Sequence, residues 1–375
     1  MKNPFKYGES VTGESFANRE KEILDIKESI KSAQNIFIYS FRRMGKTSLI
    51  KTVLREISGD RSVIPIYVDL QRAPTVGQFV EVYSTAISRA FLSRKEHLKK
   101  IGGFFKMIIP SFELDGTGSW KVSFDFSRTT SGLEKALEEI YELPRKIARQ
   151  YNKRVVVVFD EFQEISQYNG TAFENKLRSF IQHHSEVCYV FMGSKTHIIL
   201  EMFQDPRRAF YQSARIYPLP LIGEEALVEF IIDRFAFTGR RINRDIAGKI
   251  VRMSKQSPYH IQMLCSRIWL ISKTGIKEQD IESGLSEIMR EQNELFFSWY
   301  DSSSLHQRAV LIALSQAQRV FSQDTRLNFS LGSSSTVQAS LKALGKANLV
   351  IKEDGRYRIF DPFFEIWLQR KMAIR

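Results

Sequence analysis

The chain has 375 residues, of which 43% are hydrophobic, and its 55 Lys and Arg against 42 Asp and Glu give a formal net charge of +13. This length and composition fit two or three folded domains and exclude a disordered or fibrous protein. Two cysteines (Cys188 and Cys265), no run near ~20 apolar residues and no apolar leader after Met1 exclude a disulfide framework, a zinc site, a membrane span and a signal peptide, so a cytoplasmic protein with reduced thiols is expected. The positive balance favours an acidic partner such as DNA, RNA or an anionic surface. The basic residues are interleaved with acids along both halves, so an ordinary solvated surface accounts for them equally well.

In chain order, Ile23, Leu24, Ile26 and Ile30 among charged residues predict a helix over 15–32. Apolar 36–39 reads as a strand, followed by Ser40-Phe41-Arg42-Arg43-Met44-Gly45-Lys46-Thr47 and a helix from Ser48. Strand, loop, Gly-Lys-Thr and helix together predict a phosphate-binding loop, with a chance strand–turn–helix as the alternative on the loop alone. Loop amides and the helix N-terminus would hold nucleotide phosphates, Lys46 would reach the β- and γ-phosphates, and Thr47 would coordinate Mg²⁺. The usual GxxxxGK[ST] pattern opens on glycine, whereas this chain has Ser40. Serine fits there at negative φ and Gly45 is kept, so the substitution reads as weakened or retuned nucleotide handling and not as its loss.

A second strand is expected at 63–69, with Pro65 placing it at an edge or near a strand start, and a helix at 76–91. Residues 92–128 break the rhythm: Lys95, Lys99 and Lys100 precede an apolar patch, and alternating runs at 111–114 and 120–126 flank Asp115-Gly116-Thr117-Gly118. This reads as an inserted β-hairpin that either meets a partner or packs on its own domain. A helix at 133–149, a buried strand at 154–159, a helix at 171–183 and a strand at 186–192 complete an alternation that predicts a mostly parallel sheet covered by helices.

A phosphate loop calls for an acidic element at the end of a neighbouring strand. Val155-Val156-Val157-Val158-Phe159 followed by Asp160-Glu161 supplies it. Asp160 would hold Mg²⁺ through water, and Glu161 would orient and deprotonate the attacking water. An acid merely ending a buried strand is the plain alternative, weakened by the pairing with Gly45-Lys46-Thr47. The run 189–196 ends in Gly193-Ser194-Lys195-Thr196, where Ser194, and after it Thr196, would read the γ-phosphate or the lytic water; a simple Gly-Ser turn is the rival.

With these motifs in place, the chain resembles the archaeal-type ATPases of the AAA+/STAND P-loop superfamily, relatives of the origin-recognition and NB-ARC ATPases. The resemblance covers nearly the whole chain. Phe16-Ala17-Asn18-Arg19-Glu20-Lys21-Glu22 matches the opening F-x-x-R-x-x-E helix, which implies that Arg19 borders the adenine pocket. The doubly basic loop places Arg43, Met44, Gly45, Lys46, Thr47 and Ser48 around the nucleotide, with Arg42 and Arg43 binding phosphate, meeting a neighbour or pairing with local acids. Segment 157–164 matches the Walker B region, 193–194 the sensor strand and 217–220 the hinge into a helical lid. Gln256-Ser257-Pro258-Tyr259 resembles the lid's Gly-x-Pro-Tyr motif, whose proline borders base and ribose; Gln256 stands where glycine is usual. The resemblance also implies a homo-oligomer in which Arg207, Arg208 or Arg215 completes a neighbour's site, with surface solvation as the alternative for each.

From 224 to 299 the chain reads as all-helical, broken at Ser257-Pro258. An amphipathic helix at 306–314, a second one capped by 333–336 and a strand–turn–strand over 349–359 form a winged-helix signature. On duplex DNA, the second helix would present Thr336, Gln338, Ser340 and Lys342, and the wing would bring Arg356 and Arg358 to phosphates. A winged helix that contacts protein alone is the rival. Segment 361–368 resembles the family's closing DP…W stretch, with Phe363, Phe364, Ile366, Trp367 and Leu368 as a buried cap.

The expected architecture is thus an α/β P-loop domain over 1–220 with an insert at about 92–128, a helical lid over 221–303 and a winged-helix domain over 304–375. The expected function is an ATP-binding, Mg²⁺-dependent ATP-hydrolysing switch coupled to a winged helix, slow in turnover when alone. Its rivals are a DNA-binding module with little hydrolysis and a nucleotide-controlled signalling or defence scaffold that acts through protein partners.

Overall fold

The computed structural model describes residues 2–9, 19–92, 109–114, 120–125, 130–194, 196–316, 319–353 and 355–373. The chain divides into two compact units, Thr12–Pro220 and Met1–Val11 with Leu221–Arg375. The first contains, in order, α1 (Glu20–Lys31), β1 (Ile36–Tyr39), α2 (Lys46–Ile57), β2 (Val63–Asp69), α3 (Val76–Leu92), β3 (Ile109–Leu114), β4 (Trp120–Asp125), α4 (Thr130–Tyr151), β5 (Arg154–Asp160), α5 (Thr171–Ile181), β6 (Val187–Gly193), α6 (Thr196–Gln204) and β7 (Arg215–Pro218).

Five strands form one parallel sheet in the order β2-β5-β6-β1-β7. Two-residue periodicity divides its side chains between two cores. Val155, Val157, Phe159, Tyr189 and Phe191 enter the cluster shared with α3, α4 and α5. Val156, Val158, Cys188, Val190 and Met192 enter the one shared with α1 and α2. Covering both faces explains why β5 and β6 are continuously apolar. Pro65 lies on β2, an edge strand, where a missing N–H is tolerated. The insert contains the expected antiparallel pair, Ile109–Leu114 with Trp120–Asp125, while its turn at 115–118 and the basic run before it lie outside the described residues.

Register sets the site. Tyr39 is level with Gly193, Phe159 with Phe191, and Asp69 with Asp160. The phosphate loop after β1, the acids ending β5 and the segment after β6 therefore leave the sheet at one edge, where open α/β sheets bind ligands.

The second unit contains α7 (Glu224–Phe237), α8 (Arg244–Met253), α9 (Pro258–Ile271), α10 (Glu278–Glu291), α11 (Asn293–Asp301), α12 (Leu305–Gln316), α13 (Gln323–Asn328), α14 (Ser334–Lys346), β8 (Val350–Glu353), β9 (Arg356–Ile359) and α15 (Pro362–Ala373). Its last part is a winged helix, with α14 capped by the Ser333 side chain and β8 antiparallel to β9. Helix α15 ties this winged helix to the preceding helices. Asp361 caps α15 by accepting from the Phe363 and Phe364 amides, and its Oδ2 lies 3.1 Å from His260 Nε2 on α9. Trp367 donates to Asn293, and Arg370 pairs with Glu282 at 2.8 Å. Phe363, Phe364, Trp367 and Leu368 are buried as the cap expects, whereas Ile366 is only half-buried.

Residues 221–303 and 304–375 thus share one unit, held by these ties. The N-terminal strip, grouped with the α/β domain in the sequence reading, packs here as well. Phe5 needs cover and finds it against Phe235, with Asn3 donating to Ser266 and the Lys6 amide to Gln262. Gln256 adopts φ 56° after Lys255 at φ 48°, so the chain turns through two left-handed residues ahead of Ser257-Pro258 without a glycine. Pro258 itself occupies the first turn of α9, where its missing N–H costs nothing.

Candidate functional site

Gly45 caps α2 with φ 82° and ψ 19°, a conformation open to glycine without steric strain. The first amides of α2 have no intrahelical acceptor and carry the positive end of the helix dipole. Lys46 is 5% exposed, and its three ammonium donors meet three acceptors: Ser40 O at 3.0 Å, Ser40 Oγ at 3.2 Å and Phe41 O at 3.0 Å. Burial pushes the Lys46 pKa down to about 8 against the opposing pull of Glu161 and Asp160. The serine that replaces the first loop glycine is therefore a direct partner of the lysine.

Across the loop, Asp160 Oδ2 accepts from Thr47 Oγ1 at 2.9 Å and from the Tyr67 hydroxyl at 2.6 Å, while Oδ1 accepts from the Glu161 amide at 2.9 Å. Burial holds the Asp160 carboxyl above its ordinary value, with the Tyr67 and Thr47 bonds opposing. Burial and the adjacent Asp160 carboxylate raise the Tyr67 phenol, which keeps it a donor. Glu161 stands at φ 53° and accepts from Ser194 Oγ at 2.9 Å on Oε1 and from Gln163 Nε2 at 2.5 Å on Oε2.

The structure brings together Lys46, Thr47, Asp160, Glu161 and Ser194 as a chain of direct bonds and short-range charges. Tyr67 and Gln163 join them without having been assigned roles from sequence. A hydroxyl beside a carboxylate is a hard-oxygen donor set suited to Mg²⁺. Among the described residues no three His, Cys, Asp or Glu gather to hold a metal.

The remaining sequence-predicted residues fall elsewhere. Arg19 is buried; it donates to Met44 O at 3.1 Å and Pro220 O at 2.9 Å and pairs with Glu22 at 3.2 Å. It thereby ties the phosphate loop to the segment leaving β7. Phe16–Asn18, the rest of that motif, lie outside the described residues, as does the Thr196 side chain. Arg43 is exposed at φ 66°, while Met44 and Ser48 are buried. Pro258 belongs to the other unit.

Residues 16–263 match an ATPase domain found predominantly in Archaea. The chain belongs to this family. Residues 294–370 of this archaeal-type ATPase match a probable winged helix domain. An uncharacterised ATP-binding protein of Methanocaldococcus jannaschii is 24% identical over 206 residues, 51% of this chain and 53% of that protein. The chain thus spans about half the length of the curated relative it matches. Among solved structures, a Walker-type ATPase of Pyrococcus abyssi shares the fold at a TM-score of 0.67 and 18% identity, over 98% of this chain and 99% of that one. The ORC1 protein of Aeropyrum pernix in complex with DNA aligns at a TM-score of 0.52 and 14% identity, over 96% and 94% of the two chains. The ATPase fold with its winged helix is therefore shared with origin-recognition proteins.

Its winged helix differs in detail from the sequence reading. Ser340 is buried and bonded to His306 Nδ1 at 2.7 Å, because residues 337, 340, 341 and 344 share the inner face of α14. Gln338 is exposed but donates to the Tyr357 hydroxyl at 3.0 Å, and Arg358 pairs with Glu353. Thr336, Lys342 and Arg356 are exposed. Of the arginines beyond the sensor strand, Arg208 pairs with buried Glu174 and with Glu201, and Arg215 donates to Ser29 and lies over the Tyr217 ring. Arg207 is exposed and bonded to Asp205, two residues away. Among the described residues no helix is long and apolar enough to cross a membrane.

Proposed function

We propose that this archaeal-type ATPase is a Mg²⁺-dependent, ATP-hydrolysing switch coupled to its winged helix. The observation that carries this reading is the bonded series Lys46–Ser40, Thr47–Asp160 and Glu161–Ser194 at one sheet edge. Lys46 would leave its loop acceptors for the β- and γ-phosphates, joined by the amides of Gly45 to Ser48. Glu161 would orient and deprotonate water, with Ser194 fixing its carboxylate. Thr47 and Asp160, the latter steered by Tyr67, would hold Mg²⁺, which supplies charge neutralisation at the phosphates when bound. Arg19 supports the loop from behind, and the place of Pro258 beside the base rests on the family motif alone. Phosphate release from ATP should occur with Mg²⁺ and fall to background when EDTA removes it. Release unaffected by EDTA would overturn the assignment of Thr47 and Asp160.

A second reading, duplex DNA as the partner, is supported by the exposed basic groups Lys342 and Arg356 flanking Gln338. With Arg358 tied to Glu353, the phosphate contacts would come chiefly from those two. Replacing both with alanine should lower the slope of log affinity against log salt by about 2, since each phosphate contact contributes about 0.9. A slope equal to the wild type's, measured by fluorescence anisotropy on a duplex, excludes this face as the DNA contact. The protein-partner scaffold predicts no salt-dependent DNA affinity at all. For a homo-oligomer, Arg207 is the trans-acting arginine this arrangement favours, because its side chain is largely exposed beside its local partner Asp205, whereas Arg208 is held by buried Glu174 and Arg215 lies over the Tyr217 ring.

A further inference from the structure

Both oxygens of the Glu161 carboxylate are held. Ser194 donates to one, and the Gln163 side chain donates to the other at 2.5 Å and to Glu164 at 3.3 Å. Two carboxylates can only accept, so the amide nitrogen of Gln163 must face them. Its oxygen is then turned inward, buried and without a hydrogen-bond partner, which destabilises a fold unless something else is gained. The main chain makes room for this arrangement: Gln163 is 2% exposed, and a Cβ on Gly193 would collide with its Oε1 and with Ile199. Glu161 itself sits at φ 53°, a conformation that the surroundings must enforce.

We propose that Gln163 is a positioning residue for hydrolysis, fixing the orientation of the Glu161 carboxylate. The inference rests on the reading of Glu161 as the base. A hydrogen bond donated to a carboxylate is charge-assisted and directional, so it fixes where the oxygens point. Losing it leaves Glu161 held on one side and free to turn out of line with the water it would deprotonate.

The test is steady-state ATP hydrolysis by wild type, Gln163→Leu and Gln163→Glu at neutral pH, with thermal denaturation of each. Gln163→Leu should lower kcat about tenfold at neutral pH with KM for ATP unchanged. Its melting temperature should match or exceed that of the wild type, because the orphaned oxygen is gone. Gln163→Glu, whose carboxylate cannot donate to Glu161 and repels it, should lower kcat at least as far, again with KM unchanged. An unchanged kcat, a KM that rises with the loss, or a kcat loss that merely follows a lower melting temperature overturns the inference. Glu161→Gln separates the two readings. If it hydrolyses ATP like the wild type, the assignment of the base fails; if it stops turnover while Gln163→Leu behaves as wild type, only the role of Gln163 fails.

Discussion

Replacing Lys46 with alanine is expected to weaken ATP binding by about a hundredfold or more. The ammonium is the buried positive charge of the loop proposed to meet the phosphates, and truncating one member of a buried charge pair costs about 2–5 kcal/mol. Isothermal titration with ATP checks it; affinity within a few-fold of the wild type would remove Lys46 from the site. Its depressed pKa adds a pH signature with a definite sign. Above about 8 the free protein loses the Lys46 proton, so ATP affinity should decline as pH rises through that value, by up to about tenfold per unit. Stability moves the opposite way. The unfolded chain keeps this proton toward 10.5, the folded one only to about 8, so the burial penalty is fully present below about 8 and is relieved above it. Relative to Lys46→Met, the nucleotide-free wild type should therefore gain up to about 1.4 kcal/mol per pH unit between pH 8 and 9.5. The comparison must be a difference between the two proteins. Burial raises the Cys188 thiol to about 12 and the Cys265 thiol well above its ordinary value, so both alter stability in the same window, but they cancel between variants.

The parallel sheet was legible because burial on both faces leaves a mark no other element shares, four valines and a phenylalanine running into Asp160. The phosphate loop and the acids were legible because their chemistry requires particular residues at strand ends. Partners reached across strands were not. Tyr67 reads as one apolar position of β2, and only the register pairing Asp69 with Asp160 brings its hydroxyl to the carboxylate. Gln163 was visible in the acidic motif, yet its role depends on a missing Cβ at Gly193, thirty positions along the chain. Ser340 was placed on the outer face of α14 because it is polar. Helical spacing alone sets it with Val337, Leu341 and Leu344, and His306 supplies the bond that makes burial tolerable. Residues 2–9 carry too little periodicity to announce a docking site, so the burial of Phe5 against Phe235 appears only in the fold.

Glu161→Gln is expected to bind ATP and barely hydrolyse it, with kcat lower by about 10²- to 10⁴-fold, the range general-base catalysis supplies. The substitution keeps the shape of the side chain. Its oxygen can still accept from Gln163 Nε2, and its new amide can donate to Ser194 Oγ, since a hydroxyl reverses its role by rotation. The site should therefore survive while the base is lost, and single-turnover phosphate release with a parallel binding titration measures both. Turnover equal to the wild type's would refute the assignment. The same change alters Lys46, because the Glu161 carboxylate is the foremost charge holding that ammonium protonated against burial. Without it the lysine loses its proton below about 8, and the alkaline decline in ATP affinity should begin at lower pH than in the wild type. A variant that loses hydrolysis and also shows this earlier decline has lost one carboxylate with two jobs, accepting a proton from water and keeping one on Lys46. A variant that loses hydrolysis with an unmoved alkaline limb places Glu161 too far from the phosphate loop to perform the second.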